Sequence, residues 1–231
     1  MIPQIIHFCW FGGKTLPKSV VRCVDSWKRF FPNYEIREWN DSTFDVSNIP
    51  YTAKSYERGK YAFISDYVRC MALYNYGGVY FDTDVEVIRP FDDILDNGPF
   101  LGIEKNRQQI TVSPGLGMGA VPGMSFYKEI LDIYEGLDGD DDEIVRPYLV
   151  NTTTAILLRD GFVKEDRVQV VDGITIYPND FFNPFDDYTG RLFLTENTHS
   201  IHYYDRTWMP ARQSMRIPLS RLYHRLKNRL R

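Results

Sequence analysis

Short apolar runs alternate with longer segments of helical periodicity over the first third of the chain. Residues 2–9 form an apolar run followed by a pair of glycines, which predicts a buried strand running into a turn. Apolar residues then recur at helical spacing from Pro17 to Phe31, and residues 34–39 alternate like a second strand. This β-α-β opening is typical of an α/β sheet.

A second helix is predicted over residues 56–76, and the glycine pair Gly77-Gly78 ends it. Residues 79–81 are apolar and predict a brief strand, which runs directly into Asp82-Thr83-Asp84. The extended pattern resumes over residues 85–88. Open α/β sheets bind ligands at the carboxyl ends of their strands, so this acidic triplet lies where chemistry is expected.

The second half of the chain has a less regular pattern and no linker, repeat or low-complexity segment. We therefore expect one domain over residues 1–210, followed by a tail over residues 211–231. Strands are predicted at residues 100–104, 110–112, 168–171, 175–177 and 200–204, and helices at residues 125–134 and 151–159.

Composition places the chain among ordinary globular proteins, with 43% hydrophobic and 25% charged residues. The formal net charge of −4 argues against a nucleic-acid partner. The three cysteines, Cys9, Cys23 and Cys70, are widely spaced, which favours neither a zinc site nor a disulfide framework and indicates a reducing compartment. The amino terminus lacks the pattern of a signal peptide, and no apolar run reaches the roughly 18 residues of a membrane span. We expect a cytoplasmic protein.

The tail departs from this average, because residues 216–231 contain six basic residues and no acidic residue. Its apolar positions follow helical spacing from Pro218 onward: Leu219, Leu222, Tyr223, Leu226 and Leu230. Such a basic amphipathic helix can lie in the headgroup region of an anionic membrane. The same apolar stripe can instead pack on the catalytic domain or on a partner chain. Of these two interpretations we favour peripheral membrane contact.

Asp82 and Asp84 are the sharpest chemical feature of the sequence. Two carboxylates spaced i, i+2 around a bend can converge on a hard divalent cation such as Mn²⁺ or Mg²⁺. An isolated D-x-D sequence is also common among solvated turn acids. The setting favours the metal site, because an apolar strand and a helix closed by two glycines precede the motif.

Asp66 and Arg69 lie at i, i+3 on the second predicted helix. A pair at this spacing is usually a surface ion pair of small energetic value. The helix around the pair is nearly all apolar or aromatic, however. Burying a charge pair costs free energy, which favours a functional role for it. In such a role, the carboxylate would accept hydrogen bonds from sugar hydroxyls, and the guanidinium beside it would bind phosphate or sugar oxygens.

The segment at residues 62–84 (AFISDYVRCMALYNYGGVYFDTD), together with residues 2–13 (IPQIIHFCWFGG), resembles the DXD-motif sugar transferases of glycosyltransferase family 32. This family includes initiating mannosyltransferases and bacterial capsular polysaccharide enzymes. The likeness covers roughly the first ninety residues. Near the end of the chain, His202 and Trp208 in the sequence HYYDRTW are similar to the family's closing histidine and tryptophan.

This resemblance implies a GT-A type, Rossmann-like nucleotide-sugar-binding fold of the α/β class with a mixed central sheet. It implies a retaining hexosyltransferase that uses Mn²⁺ or Mg²⁺, a UDP- or GDP-linked donor and a glycan acceptor. Surface or capsular polysaccharide synthesis would be its role. A lipid-linked acceptor at the cytoplasmic face of the inner membrane would agree with the amphipathic tail.

The resemblance also implies roles for individual residues. Phe8 and Trp10 would hold the nucleotide base, and Ser65, Asp66 and Arg69 would contact ribose and donor sugar. Asp82 would lie near ribose and metal, and Asp84 would ligate the metal directly. His202 would complete the metal or diphosphate site, and Trp208 would close over the donor. The catalytic set is therefore expected to be Arg69, Asp82 and Asp84.

Two other function classes remain open. F-D-T-D-V at residues 81–85 also fits an aspartyl-phosphate motif, in which Asp82 would be the nucleophile of a metal-dependent phosphohydrolase. The many aromatic residues fit a carbohydrate-binding module without catalysis. At the level of single residues, Trp10 can be a rim aromatic, His202 can be a hydrogen-bonded core histidine, and His7 is predicted to be structural.

Overall fold

A computed structural model of the protein describes residues 1–106, 109–137 and 149–205. Trp208 and the predicted tail helix therefore lie outside the described residues. The strands are β1 (Ile5–Cys9), β2 (Glu35–Trp39), β3 (Gly78–Tyr80), β4 (Val85–Val87), β5 (Phe100–Lys105), β6 (Ile110–Val112), β7 (Met118–Ala120), β8 (Gln169–Val171), β9 (Ile174–Tyr177), β10 (Phe185–Asp186), β11 (Arg191–Leu192) and β12 (Ser200–His202). The helices are α1 (Lys18–Phe30), α2 (Pro50–Glu57), α3 (Tyr61–Tyr76), α4 (Asp92–Asp96), α5 (Ser125–Glu135), α6 (Leu149–Arg159) and α7 (Asn179–Phe182).

The main sheet has the strand order β2-β1-β3-β7-β5-β9-β8, with β6 added beside β5. Strands β2, β1 and β3 run parallel, whereas β7 is antiparallel to both of its neighbours. The expected mixed α/β sheet is confirmed. None of the helices within the described part of the chain is long and apolar enough to cross a lipid bilayer.

The helix predicted over residues 56–76 begins later, at Tyr61, as α3. Tyr56 and Glu57 instead end α2, a helix that was not predicted. Gly59 separates the two helices with a φ of 65°, a left-handed conformation that suits a residue without Cβ. The amide of Lys60 then donates to the carbonyl of Ser55 at 2.8 Å, which closes α2 in the manner of a Schellman cap. Residues 57–60 (ERGK) contain no apolar side chain, so apolar spacing did not locate the break.

The glycine pair after α3 positions the strand that leads to the site. Gly77 caps the helix with a φ of 61°, and its amide donates to the carbonyl of Leu73 at 2.9 Å. At Gly78 an added Cβ would lie 2.5 Å from the carbonyl oxygen of Ile5, so only glycine lets β3 approach β1 this closely. The sharp turn and the close pairing together carry the chain from α3 into the middle of the sheet.

Strand β4 does not continue the main sheet, although it follows the acidic triplet directly. It pairs antiparallel with β12 in a separate two-stranded sheet, which places His202 opposite Val85. The short strand β7 was not predicted, and it lies between β3 and β5. Its glycine Gly119 accommodates the ring of Phe100, which an added Cβ would approach to 2.3 Å. Helices α4 and α7 and the hairpin β10-β11 were also missed.

Two apolar clusters cover the two faces of the sheet, because side chains alternate along each strand. On β3 and the residue after it, Val79 and Phe81 join one cluster and Tyr80 joins the other. The first of these clusters is rich in aromatic rings, and Phe91 is at its centre, with Phe182 stacked against it at a centroid distance of 5.6 Å. Much of the aromatic content therefore serves the core.

Candidate active site

The candidate site lies at the edge where the parallel strands β1 and β3 both end. Strand β1 ends at Cys9 and leads into Trp10, and β3 ends at Tyr80 and leads into Phe81 and Asp82. Helix α3 packs beside these strands and faces the same edge with Asp66 and Arg69. The strand ends and the helix thus bring the charged residues of the central motif together.

Arg69 connects the helix to the acidic motif. Its Nη2 atom lies 3.3 Å from Asp66 Oδ1 and 3.0 Å from Asp82 Oδ1, and the arginine is only 7% exposed. The guanidinium also lies 4.8 Å from the centre of the Tyr80 ring, and its Nε donates to the carbonyl of Ser65 at 3.1 Å. The pair predicted from the helix is therefore a buried bridge between two carboxylates.

Burial and pairing set the charges of this bridge. Burial raises the pKa of Asp66 to about 6, while Arg69 opposes the shift. Burial also works against the positive charge of Arg69, but Asp82, Tyr80 and Asp66 hold its pKa well above the ordinary value. The Tyr80 hydroxyl donates to Asp82 Oδ1 at 3.0 Å, so Asp82 accepts from two neighbours. The guanidinium thus remains charged inside the protein.

Asp84 and His202 form the second half of the site. His202 Nε2 lies 3.2 Å from Asp84 Oδ1, and the amide of Asp205 donates to Asp84 Oδ2 at 2.9 Å. Burial would raise the pKa of Asp84, but His202 lowers it below its ordinary value. Burial likewise disfavours the imidazolium, but Asp84 raises the pKa of His202. The antiparallel pairing of β4 with β12 places the two side chains together.

These residues fit a divalent cation. Ligand atoms of Asp82, Asp84 and His202 all lie within 4.8 Å of one another. Carboxylate oxygens are the ligands that Mn²⁺ and Mg²⁺ prefer, and the imidazole of His202 would add a nitrogen donor once the ion displaces its Nε2 proton. The second ring nitrogen of His202, Nδ1, is buried with no hydrogen-bond partner among the described residues.

Of the residues expected to hold the base, Trp10 lies at the site edge. It is partly buried, and its Nε1 donates to the carbonyl of Lys14 at 2.6 Å, which fixes the indole against the following loop. The expectation for the ring of Phe8 needs correction. Phe8 is 3% exposed and packs edge-on against Trp27 at a centroid distance of 5.6 Å, so its faces belong to the core.

Ser65 lies one residue before Asp66 on α3. Its hydroxyl donates back to the carbonyl of Tyr61 at 3.2 Å within the helix, and its own carbonyl accepts from Arg69. Ser65 therefore supports the arginine through its main chain.

Two residues that contact the site were not predicted from the sequence. Tyr80 lies two positions before Asp82, and this i, i+2 spacing on a strand was a signal that both side chains share a face. Gly115 lies in a buried 3₁₀ helix, Pro114–Leu116, and an added Cβ there would lie 2.4 Å from Asp82 Oδ2. No local pattern marks Gly115, because only the folded chain brings it to Asp82.

Comparison with known proteins agrees with this geometry. Residues 17–101 match the family described as "Glycosyltransferase sugar-binding region containing DXD motif". The chain is 34% identical over 98 residues to inositol phosphoceramide mannosyltransferase 3 of Schizosaccharomyces pombe, which covers 41% of this chain and 27% of that protein. It is 28% identical over 120 residues to the initiation-specific alpha-1,6-mannosyltransferase of Candida albicans, covering 48% of this chain and 31% of that one. The aligned part spans less than a third of each relative.

Two solved structures share the fold. The PaToxG glycosyltransferase superposes with a TM-score of 0.54 at 16% identity, covering 69% of this chain and 70% of that chain. A glycosyltransferase involved in glycosylating the major capsid of PBCV-1 superposes with a TM-score of 0.52 at 11% identity, covering 94% and 100%. Asp66, Arg69, Asp82 and Asp84 all lie within the matched residues 17–101. Residues 17–101 are therefore similar to a DXD-containing sugar-binding region of glycosyltransferases, and the chain has a GT-A fold.

Proposed function

We propose that the chain is a retaining, metal-dependent glycosyltransferase that moves a hexose from a UDP- or GDP-linked donor to a glycan acceptor. One observation carries this proposal: Arg69 is buried between Asp66 and Asp82, beside a cluster of Asp82, Asp84 and His202. This arrangement supports the proposal because it combines a fixed positive charge, a partly exposed carboxylate and a group of potential metal ligands at one sheet edge. A nucleotide diphosphate joined to a sugar needs all three.

In the proposed complex, Asp66 accepts hydrogen bonds from hydroxyls of the donor sugar. Its carboxylate is 20% exposed, whereas the Arg69 side chain is 9% exposed, so the acid faces the open side of the pair. Arg69 orients Asp66 and Asp82 and supplies positive charge toward the donor. Trp10 lines the nucleotide end from the neighbouring strand end.

Transfer then depends mainly on electrostatics and positioning. A Mn²⁺ or Mg²⁺ ion held by Asp82, Asp84 and His202 would stabilise the negative charge of the departing nucleotide diphosphate. We favour a front-face route, in which the acceptor hydroxyl bonds to the anomeric carbon as the bond to phosphate oxygen breaks, and its proton passes to that oxygen. The ion pairs of the site support this route, since paired carboxylates are weak nucleophiles. Arg69 contacts Asp66 and Asp82, and His202 contacts Asp84.

The same pairing argues against the phosphohydrolase hypothesis. An aspartyl nucleophile needs a free oxygen directed at phosphorus. Asp82 Oδ1 contacts Arg69 and the Tyr80 hydroxyl, and Gly115 packs closely beside Oδ2. Asp82 is therefore better suited to bind and orient than to attack.

A donor panel tests the proposal. Because both relatives are named mannosyltransferases, nucleotide-linked mannose is the first donor to assay, followed by other UDP- and GDP-linked hexoses. We expect Mn²⁺-dependent hydrolysis of one donor, a raised melting temperature with that donor, and retained anomeric configuration in the product. Release of phosphate from simple esters, with no donor cleaved, would support the phosphohydrolase instead.

For the acceptor and location, we propose a lipid-linked glycan at the cytoplasmic face of the inner membrane, in surface or capsular polysaccharide synthesis. The basic amphipathic pattern of residues 218–230 supports this proposal. Liposome flotation tests it: the full chain should bind anionic vesicles in a salt-sensitive manner, and a chain ending at Ile217 should not. Equal binding by both forms would contradict the role of the tail.

A further inference from the structure

His202 is held from two sides in the site. Its Nε2 lies 3.2 Å from Asp84 Oδ1, and its ring centre lies 4.1 Å from that of Tyr204. Metal-binding histidines usually donate their second N–H to a carboxylate or carbonyl, which fixes the orientation of the ring. His202 Nδ1 has no such partner among the residues that the structure describes. The Tyr204 ring thus contacts an imidazole whose second nitrogen has no hydrogen bond to orient it.

The backbone of Tyr204 is itself unusual. Its φ is 54°, a left-handed conformation that bulky residues rarely adopt. Among the described non-glycine residues only Asp172 shares a positive φ, and it lies in the tight turn between β8 and β9. Strain of this kind persists where surrounding contacts enforce it, and it clusters at functional sites.

A chain of hydrogen bonds fixes the position of the Tyr204 side chain. The Asn183 amide nitrogen donates to the Tyr204 hydroxyl at 2.8 Å. Asn183 is in turn fixed by Asn179, whose side-chain nitrogen donates to the Asn183 carbonyl at 2.8 Å. The Asn179 side-chain oxygen accepts from the amide of Lys105 at the end of β5 at 2.9 Å. The tyrosine ring is thus tied through α7 to the main sheet.

We propose that Tyr204 is a positioning residue that holds the His202 imidazole toward Asp82 and Asp84 and thereby sets the affinity of the site for its divalent cation. The inference rests on the proposed function only in requiring that these three residues bind a metal. Tyr204 itself would contact neither the metal nor the donor. Its effect passes through the orientation of one ring.

Mn²⁺ affinity, measured by electron paramagnetic resonance without any donor, tests the inference. Glycine suits the observed φ, so Tyr204→Gly removes the ring without adding backbone strain. We expect this variant to bind Mn²⁺ about 10-fold or more weakly, the usual effect of removing a group that orients a metal ligand. Tyr204→Phe keeps the ring and should bind much more tightly than Tyr204→Gly.

Tyr203→Phe is the matched control. It removes a neighbouring tyrosine hydroxyl that donates to Glu86 at 2.6 Å and leaves the His202 contact intact, so Mn²⁺ affinity should not change. The decisive comparison is made in a His202→Ala background, where Tyr204→Gly should cause no further loss. A merely structural role would weaken binding in both backgrounds. Circular dichroism verifies folding, and Tyr204→Leu replaces the glycine variant if that variant does not fold.

The outcomes separate the two proposals. If Tyr204→Gly binds Mn²⁺ as tightly as the unaltered chain, the positioning role is overturned, and the proposed metal site is still supported. Equal losses with and without His202 also overturn it, because the tyrosine would then act by another route. Failure of the unaltered chain to bind Mn²⁺ overturns the proposed metal site, and the positioning role with it.

Discussion

Arg69 Nη2 lies 3.0 Å from Asp82 Oδ1, so a residue in the middle of α3 is joined directly to the acidic motif that follows β3. The same nitrogen lies 3.3 Å from Asp66 Oδ1. A single buried guanidinium therefore neutralises two carboxylates and aligns a helix with a strand end. Removal of the guanidinium leaves both carboxylates without their shared partner, which makes Arg69 both a structural and a functional element.

Arg69→Ala should destabilise the protein by about 3–5 kcal/mol, because two partly buried carboxylates lose their shared buried partner. Urea unfolding measures this change. The exposed pair Arg37–Glu35 provides the control, since Arg37→Ala should cost about 1 kcal/mol or less. Arg69→Met combined with Asp66→Asn should recover part of the stability without recovering transfer. Recovery of transfer in that double variant would contradict the role of the charge.

Asp84→Ala should abolish metal-dependent transfer while leaving the fold intact. Loss of a direct ligand weakens the cation site. Without Asp84, burial favours the neutral ring of His202, so no unpaired charge remains inside the protein. Isothermal titration with Mn²⁺ and a donor hydrolysis assay measure the two effects, and circular dichroism monitors folding. Full activity of Asp84→Ala in metal-stripped buffer would refute the assignment.

Asp66→Asn should weaken transfer from the donor. As the pH rises, its free energy of unfolding should increase relative to that of the parent protein. Burial raises the folded-state pKa of Asp66 to about 6, above its ordinary value of 3.8, so the ionised carboxylate disfavours folding. The parent protein is then most stable, as far as this group is concerned, below pH 3.8 and loses that stability as the pH rises through 6. Between pH 3.5 and 7 the variant should gain up to about 3 kcal/mol relative to the parent. A constant difference across this range would contradict the raised pKa.

Gly115→Ala should impair transfer more than it impairs folding. The added methyl group would lie 2.4 Å from Asp82 Oδ2 and push the carboxylate away from its position beside Arg69. We expect the kcat for the preferred donor to fall about 10-fold or more, since a displacement of about 1 Å can cost on the order of 100-fold in rate. Gly136→Ala is the control, because its added Cβ would meet only ordinary contacts at 3.4 Å and beyond.

His7 should make the protein less stable in mild acid. Its Nδ1 accepts from Trp39 Nε1 at 3.1 Å and its Nε2 donates to the carbonyl of Gly77 at 2.9 Å, an arrangement that requires the neutral ring. Burial lowers its pKa from 6.5 to about 4. Stability is therefore complete above pH 6.5 and falls as the pH drops toward 4, by about 3 kcal/mol. His7→Gln should remove this contribution from urea unfolding curves recorded at pH 7 and pH 4.

Local pattern determined the elements that frame the site. The apolar runs of β1 and β3, the helical spacing of α1 and α3, and the glycine pair at residues 77–78 are short-range signals. The spacing of Asp66 and Arg69 on one helix, and the position of Asp82 just beyond a buried strand, also follow from chain geometry alone. These features were enough to predict the sheet edge and its charged residues.

Contacts between distant parts of the chain were decided only by the tertiary structure. Asp84 meets His202 because β4 leaves the main sheet and pairs with β12, a choice that neither short strand specifies by itself. Gly115 reaches Asp82, and Phe8 turns into the core, because side-chain packing across the sheet selects one face for each residue. Pairing between distant segments depends on which surfaces bury one another. Sequence periodicity shows which face of a strand is buried, but it does not identify the segment that packs against that face.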